Sequence, residues 1–180
     1  IMDNGVLKKW ITGRTAKPFY ARKELTLSAK AEKAKLAICG LGQFNLYVNG
    51  KKVGDHVLDP AWSDYRKQIY YLEFEVADYL TAGKNVIAVE VGNGWFIMEK
   101  GDGNYTFHFP DFMPPNPNPY VPFGKYLILS ASLTAELEDG SVINMKTDDT
   151  WSVAEHMIRT SNVFGSEMAD GRKRIADWKE

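Results

Sequence analysis

Trp62, Tyr65 and Trp95 are large aromatic residues set beside short polar ones. Asp59 and Asp64 accompany the first two, and Asn93 precedes the third. Rings next to carboxylates and amides can hold a carbohydrate. The ring covers an apolar C–H face of the sugar, and the polar groups take its hydroxyls. The candidate set for that chemistry is Trp62, Asp64, Tyr65, Asn93 and Trp95. The same aromatics have a second reading, as filling for the rim of a fold or for an interface with another domain. Trp10, Trp151 and Trp178 read as structural, with Trp151 a core plug after its acidic turn.

Other chemistry is sparse. His56, His108 and His156 are isolated and lack metal-ligand spacing, so they read as surface or satisfied core residues. Asp102, Asn104, Asp148 and Asp149 sit in oxygen-rich turns that could ligate calcium, although most acidic surface turns hold no ion. No other cofactor is expected. The single cysteine, Cys39, rules out an internal disulfide and sits in Leu36-Ala-Ile-Cys39, where a small buried strand residue is expected. The chain has no Gly-x-Ser-x-Gly elbow and no phosphate loop.

The 180 residues suit one domain with arms. A chain of this size buries roughly 70% of its unfolded surface without staples. Lys and Arg total 22 against 23 Asp and Glu, a formal net charge of −1. Nucleic-acid and membrane-surface partners favour a basic excess, so neither is expected. No apolar run reaches the ~18 residues of a membrane helix. No signal peptide is visible, and Ile1 precedes Met2, which leaves cytoplasmic and secreted locations equally compatible.

The elements that must position the aromatics are short strands. Candidates are Leu25–Leu27 and then 35–40, 43–49, 51–55, 67–75, 85–92, 126–137, 142–146 and 151–154, separated by turns at Gly40-Leu-Gly42, Asn49-Gly50, Gly83-Lys-Asn85 and Glu138-Asp-Gly140. Asn49-Gly50 between Leu46-Tyr-Val48 and Lys51-Lys-Val53 predicts a type I′ hairpin. Residues 29–35 are Lys/Ala-rich and read as a loop. One short helical turn is expected around 76–80, ended by Gly83. This pattern predicts an all-β fold, a jelly-roll or galactose-binding-like sandwich of two antiparallel sheets. No βαβ alternation appears. Residues 100–124 form a long loop rich in proline and aromatics, expected to fold over the sandwich or against a neighbouring domain.

Taken in order, the motifs resemble the N-terminal β-sandwich domain of bacterial α-L-rhamnosidases, of glycoside hydrolase family 78. They are Leu46-Tyr-Val-Asn-Gly-Lys-Lys-Val-Gly-Asp55, Leu58-Asp-Pro-Ala-Trp-Ser-Asp-Tyr65, Gly83-Lys-Asn-Val-Ile-Ala-Val-Glu-Val-Gly-Asn-Gly-Trp95, Pro122-Phe-Gly124, Thr147-Asp148 through Trp151, and Gly165-Ser-Glu167. The likeness covers residues 34–178. Two departures are the long 100–124 segment and Ala169-Asp-Gly171 in place of a more usual Tyr-Asp-Ala.

The resemblance divides the chain into an arm and first strand (1–33), the sandwich (34–165) and an exit segment (166–180) towards a catalytic region. It implies enzymes that cleave terminal α-L-rhamnose with inversion, using carboxylates on a separate (α/α)₆ barrel of the same polypeptide. This chain would then be a non-catalytic accessory domain that binds or positions L-rhamnosides, or braces the barrel. The alternatives are a purely structural module and a domain of a β-galactosidase-like hydrolase. Inverting hydrolysis needs two carboxylates about 6.5–9.5 Å apart. Asp59 and Asp64 are the local pair to weigh. The structural reading has Asp59 capping the turn before Pro60 and Asp64 pairing with backbone or a basic group.

Overall fold

A computed structural model describes residues 7, 9–97, 123–161 and 167–180. Most of the proline-rich segment, with Asp102, Asn104 and His108, lies outside the described residues. The strands are β1 (Ile11–Thr12), β2 (Phe19–Leu27), β3 (Ala31–Leu41), β4 (Gln43–Val48), β5 (Lys51–Lys52), β6 (Leu72–Glu75), β7 (Gly83–Gly92), β8 (Ile128–Leu137), β9 (Val142–Lys146), β10 (Ser152–Glu155), β11 (Ile158–Thr160) and β12 (Met168–Ala169). A 3₁₀ turn spans Ala77–Tyr79 and another Gly171–Lys173.

Two antiparallel five-stranded sheets form the sandwich. One runs β1-β8-β3-β6, with β9 also on β8; the other runs β10-β2-β7-β4-β5. Period-two patterning supplies the core. Along β8, Leu129, Ala131, Leu133, Ala135 and Leu137 are buried, while Thr134 and Glu136 are exposed. From the other sheet, Phe19, Leu46, Val48, Ile87, Val89 and Val91 join the same cluster. Each fully buried Leu, Ile or Phe contributes about 1.5–3 kcal/mol. Trp151 plugs this core and donates its indole N–H to Lys146 O at 3.0 Å. Cys39 is buried, and desolvation pushes its thiol up to about 12.

The Asn49-Gly50 turn has φ of 49° and 78°, the double positive value a type I′ turn requires. Asn49 does more than turn the chain. Its Nδ2 donates to Tyr79 O (2.9 Å) and Asn85 Oδ1 (2.8 Å), and its Oδ1 accepts from Val86 N (2.8 Å). Asn85, fully buried, donates to Thr81 O and Gly83 O and accepts from Thr81 N. This polar knot fixes the hairpin to the start of β7.

Several elements differ from the expectations; the return strand of the hairpin, expected over 51–55, is only Lys51–Lys52, and β11 and β12 were not expected. Residues 31–35 belong to β3 rather than to a loop. Ala31 and Ala34 are buried beside β8 while Glu32, Lys33 and Lys35 face solvent, and an irregularity between Ala31 and Lys33 breaks the alternation that would have marked the strand. β2 extends back to Phe19 and lies between β10 and β7. Residues 67–71 stay out of β6, because Asp64 O accepts both Lys67 N and Gln68 N and Ser63 Oγ donates to Gln68 O, closing a turn.

The C-terminal segment lies across the outer face of the second sheet. Trp178 stacks on Tyr20 at 4.3 Å and meets Tyr47 edge-on at 5.7 Å. Lys179 Nζ sits 3.6 Å from the centre of the Tyr47 ring. Gly50 N donates to Lys179 O, and Arg22 donates to Glu180 O.

Candidate functional site

The loop after β5 and the loop after β7 reach the same end of the sandwich. Phe44 N donates to Asp59 O at 2.8 Å, which ties the first loop to the start of β4. β4 pairs with β7 from Gln43↔Gly92 onward, so the Asn93 loop leaves beside it. Gly42 is needed at this approach: a Cβ there would lie 1.8 Å from Asn93 O.

This packing brings Trp62 and Trp95 together. Their ring centroids are 5.5 Å apart, with planes inclined at 31°. Trp62 is 64% exposed, whereas Trp95 is half-buried against the core. The pair is an accessible ring on a partly anchored one.

The other three candidates go elsewhere. Tyr65 is buried, edge-on to Phe96 (5.3 Å) and Phe123 (5.0 Å). Burial raises its phenol pKa. Its following residues Arg66, Lys67 and Gln68 are polar, so no apolar period marks it as core. Asp64 is gripped by Arg66, whose Nε donates to Oδ1 at 2.8 Å and Nη2 to Oδ2 at 3.1 Å. The guanidinium holds its carboxyl below the usual range. Asn93 is buried, only 1% exposed, and donates to Ser161 O at 3.0 Å. It lines a cleft of about 180 Å³ together with Gln43, Asn45, Leu58, Glu90 and His156.

Sequence reasoning missed Glu90 and Asn45 because both sit inside strands that read as generic. Register places them directly opposite, on one face of the sheet. Asn45 Nδ2 donates to Glu90 Oε2 at 3.1 Å, as does the Tyr47 hydroxyl at 3.2 Å. Burial works against the Glu90 charge, but the His156 ring, the Asn45 amide and Lys179 outweigh it and lower its pKa. Burial and Glu90 together push the Tyr47 phenol up to about 12.

His156 is a satisfied interior residue. Its Nδ1 accepts from Ile158 N at 2.9 Å, and its ring stacks on Tyr20 at 4.1 Å. His56 is exposed, with Nδ1 3.2 Å from Asp59 Oδ2. Asp148 accepts from Thr150 N and Thr150 Oγ1 within its own turn. Among the described residues no three His, Cys, Asp or Glu side chains cluster as metal ligands.

The architecture is that of a two-sheet antiparallel β-sandwich module. Residues 29–180 match the sequence model of the α-L-rhamnosidase N-terminal domain, and the chain belongs to that family. An α-L-rhamnosidase of Formosa agariphila is 30% identical over 182 residues, covering 95% of this chain and 18% of that protein. Among solved structures, the α-L-rhamnosidase of Dictyoglumus thermophilum superposes with a TM-score of 0.78 at 28% identity, covering 98% of this chain and 20% of that one. The native enzyme of Aspergillus terreus gives 0.78 at 27% identity, covering 95% and 19%. The chain thus spans about a fifth of the length of these relatives.

Proposed function

We propose that this chain is a non-catalytic accessory domain of an α-L-rhamnosidase and that it holds rhamnose-containing glycans on the Trp62–Trp95 rim. The observation that carries the reading is the exposed Trp62 ring, set against a half-buried Trp95. A sugar stacked on such a ring gains on the order of 1 kcal/mol per aromatic contact, and it gives up hydration to do so. Binding is therefore weak, in the millimolar to micromolar range.

The local carboxylates support the non-catalytic half. A glycosidic general acid needs a raised pKa. Asp64 is held low by Arg66, and Asp59 is turned onto His56. Asp64 is therefore not poised to deliver a proton. The acid and base would lie on another part of the polypeptide, in keeping with the length of the relatives.

The test is titration of L-rhamnose into the purified chain, followed by calorimetry and by the indole N–H signals of the tryptophans. Saturable heat with shifts at Trp62 supports the reading; no response at saturating sugar rejects it.

A bracing role is favoured by a separate observation. Val57 is 73% and Leu58 70% exposed, and Leu58 adopts φ of 61°. A bulky residue in the left-handed region costs about 1–2 kcal/mol, and here the backbone is held by the Phe44–Asp59 bridge. A rigid loop presenting two bare aliphatic side chains suits a neighbouring domain. Val57→Asp should weaken its association with the remaining polypeptide supplied in trans, while leaving the L-rhamnose titration intact.

A further inference from the structure

We infer that Asn49-Gly50 is a latent site of spontaneous deamidation, and that the C-terminal segment guards it. Asn-Gly is the pair most open to this reaction, because glycine has no Cβ to hinder attack by its backbone nitrogen. Gly50 N loses its proton and attacks Asn49 Cγ. A bond forms between these two atoms, the Cγ–Nδ2 bond breaks, and the amide leaves as ammonia, taking up the proton. Solvent water then opens the cyclic imide to aspartate or isoaspartate. The reaction needs no enzyme and no redox partner.

The fold holds both reacting groups. The Asn49 carboxamide is committed at both of its polar atoms: Nδ2 donates to Tyr79 O and Asn85 Oδ1, and Oδ1 accepts from Val86 N. It cannot turn towards Gly50 N without giving up all three hydrogen bonds. Gly50 N is capped from the other side. It donates to Lys179 O at 2.9 Å, and a carbonyl oxygen set against an N–H opposes loss of its proton. Glu180 lies over the same glycine, its Cγ 3.4 Å from where a Cβ would stand.

The cap is secured away from the turn, by Trp178 on Tyr20 and Tyr47, by Lys179 Nζ over the Tyr47 ring, and by Arg22 on Glu180 O. Reaction in the folded chain therefore waits for the segment to lift, and its rate follows the open population. The product does not suit the site. An aspartate carboxylate has no donor for Tyr79 O or Asn85 Oδ1, and isoaspartate adds a main-chain atom to a two-residue turn.

The sequence supplies an internal control. Asn93-Gly94 is the same pair at the opposite end of β7, and its side chain is held by Ser161 O rather than by the C-terminal segment. The experiment incubates the 180-residue chain at mildly alkaline pH and reads deamidation at Asn49 and Asn93 by peptide mass spectrometry. The unaltered chain in urea gives the unguarded rate, and Trp178→Ala and Lys179→Ala loosen the cap. Asn49 should react at least about tenfold more slowly in the folded chain than in urea. Trp178→Ala should speed Asn49 about tenfold and Lys179→Ala about threefold, the sizes of the aromatic and cation–π contacts removed, with Asn93 unchanged in both. Equal Asn49 rates in the folded chain and in urea would overturn the proposal. So would folded variants in which Asn49 keeps its original rate, or in which Asn49 and Asn93 accelerate together. A Trp178→Ala chain that fails to fold leaves Lys179→Ala to decide.

Discussion

Trp62 and Trp95 come from loops 33 positions apart in sequence, yet their rings lie 5.5 Å apart with planes inclined at 31°. The contact is asymmetric. Trp62 projects into solvent, and Trp95 packs partly on the core. Ring loss should therefore divide stability from binding. Trp62→Ala should change the unfolding free energy by no more than about 0.5 kcal/mol. Trp95→Ala should cost about 1–3 kcal/mol, less than a fully buried Trp. Denaturant melts of the two variants check this.

Catalysis should be absent from the chain alone. With Asp64 clamped by Arg66 and Asp59 on His56, purified protein should not hydrolyse aryl α-L-rhamnosides above background. Turnover that disappears in Asp64→Asn would contradict the reading.

The C-terminal segment should loosen in acid. Lys173 and Arg159 bond Glu155 and hold its carboxyl down to about 2, from an ordinary 4.5. A depressed folded pKa means the contribution is complete above pH 4.5 and is lost as pH falls towards about 2. Amide exchange at Lys173 and Arg174 should accelerate across that window. In Glu155→Gln the step should shrink to the part carried by Asp170, whose carboxyl Arg172 also holds low.

Asn85 should matter more than its surface count suggests. Asn85→Ala strips partners from Asn49, Thr81 and Gly83 inside the fold. A loss on the order of 2–4 kcal/mol is expected from several buried groups left unpaired. Thermal melts measure it, and a near-neutral result would show that water replaces the side chain.

Much of the sandwich was legible in its apolar patterning. β4, β8 and β9 carry apolar residues every second position, β7 carries the buried apolar run Val86–Val89, and Asn49-Gly50 demands its turn. β2 was obscured by the consecutive charges Arg22-Lys23-Glu24, of which Arg22 and Glu24 share the outer face with Tyr20 and Lys23 reaches Thr150. The start of β3 was obscured by its irregular register. The convergence of the two tryptophan loops followed from sandwich geometry. Tyr65 and Asn93 could not be placed that way, since the side of a loop on which a residue points depends on packing. Tyr65 went inward to Phe96 and Phe123, and Asn93 towards Ser161, a residue 68 positions away.

The proposed rhamnosyl site is the exposed Trp62 ring. Its sharpest test is titration of L-rhamnose and of a rhamnosyl disaccharide against the unaltered chain and Trp62→Ala. Weak, saturable binding by the unaltered chain is expected, with Trp62→Ala folded as shown by its melt and at least about tenfold weaker. Equal affinity in a folded Trp62→Ala would contradict it, as would no binding by the unaltered chain.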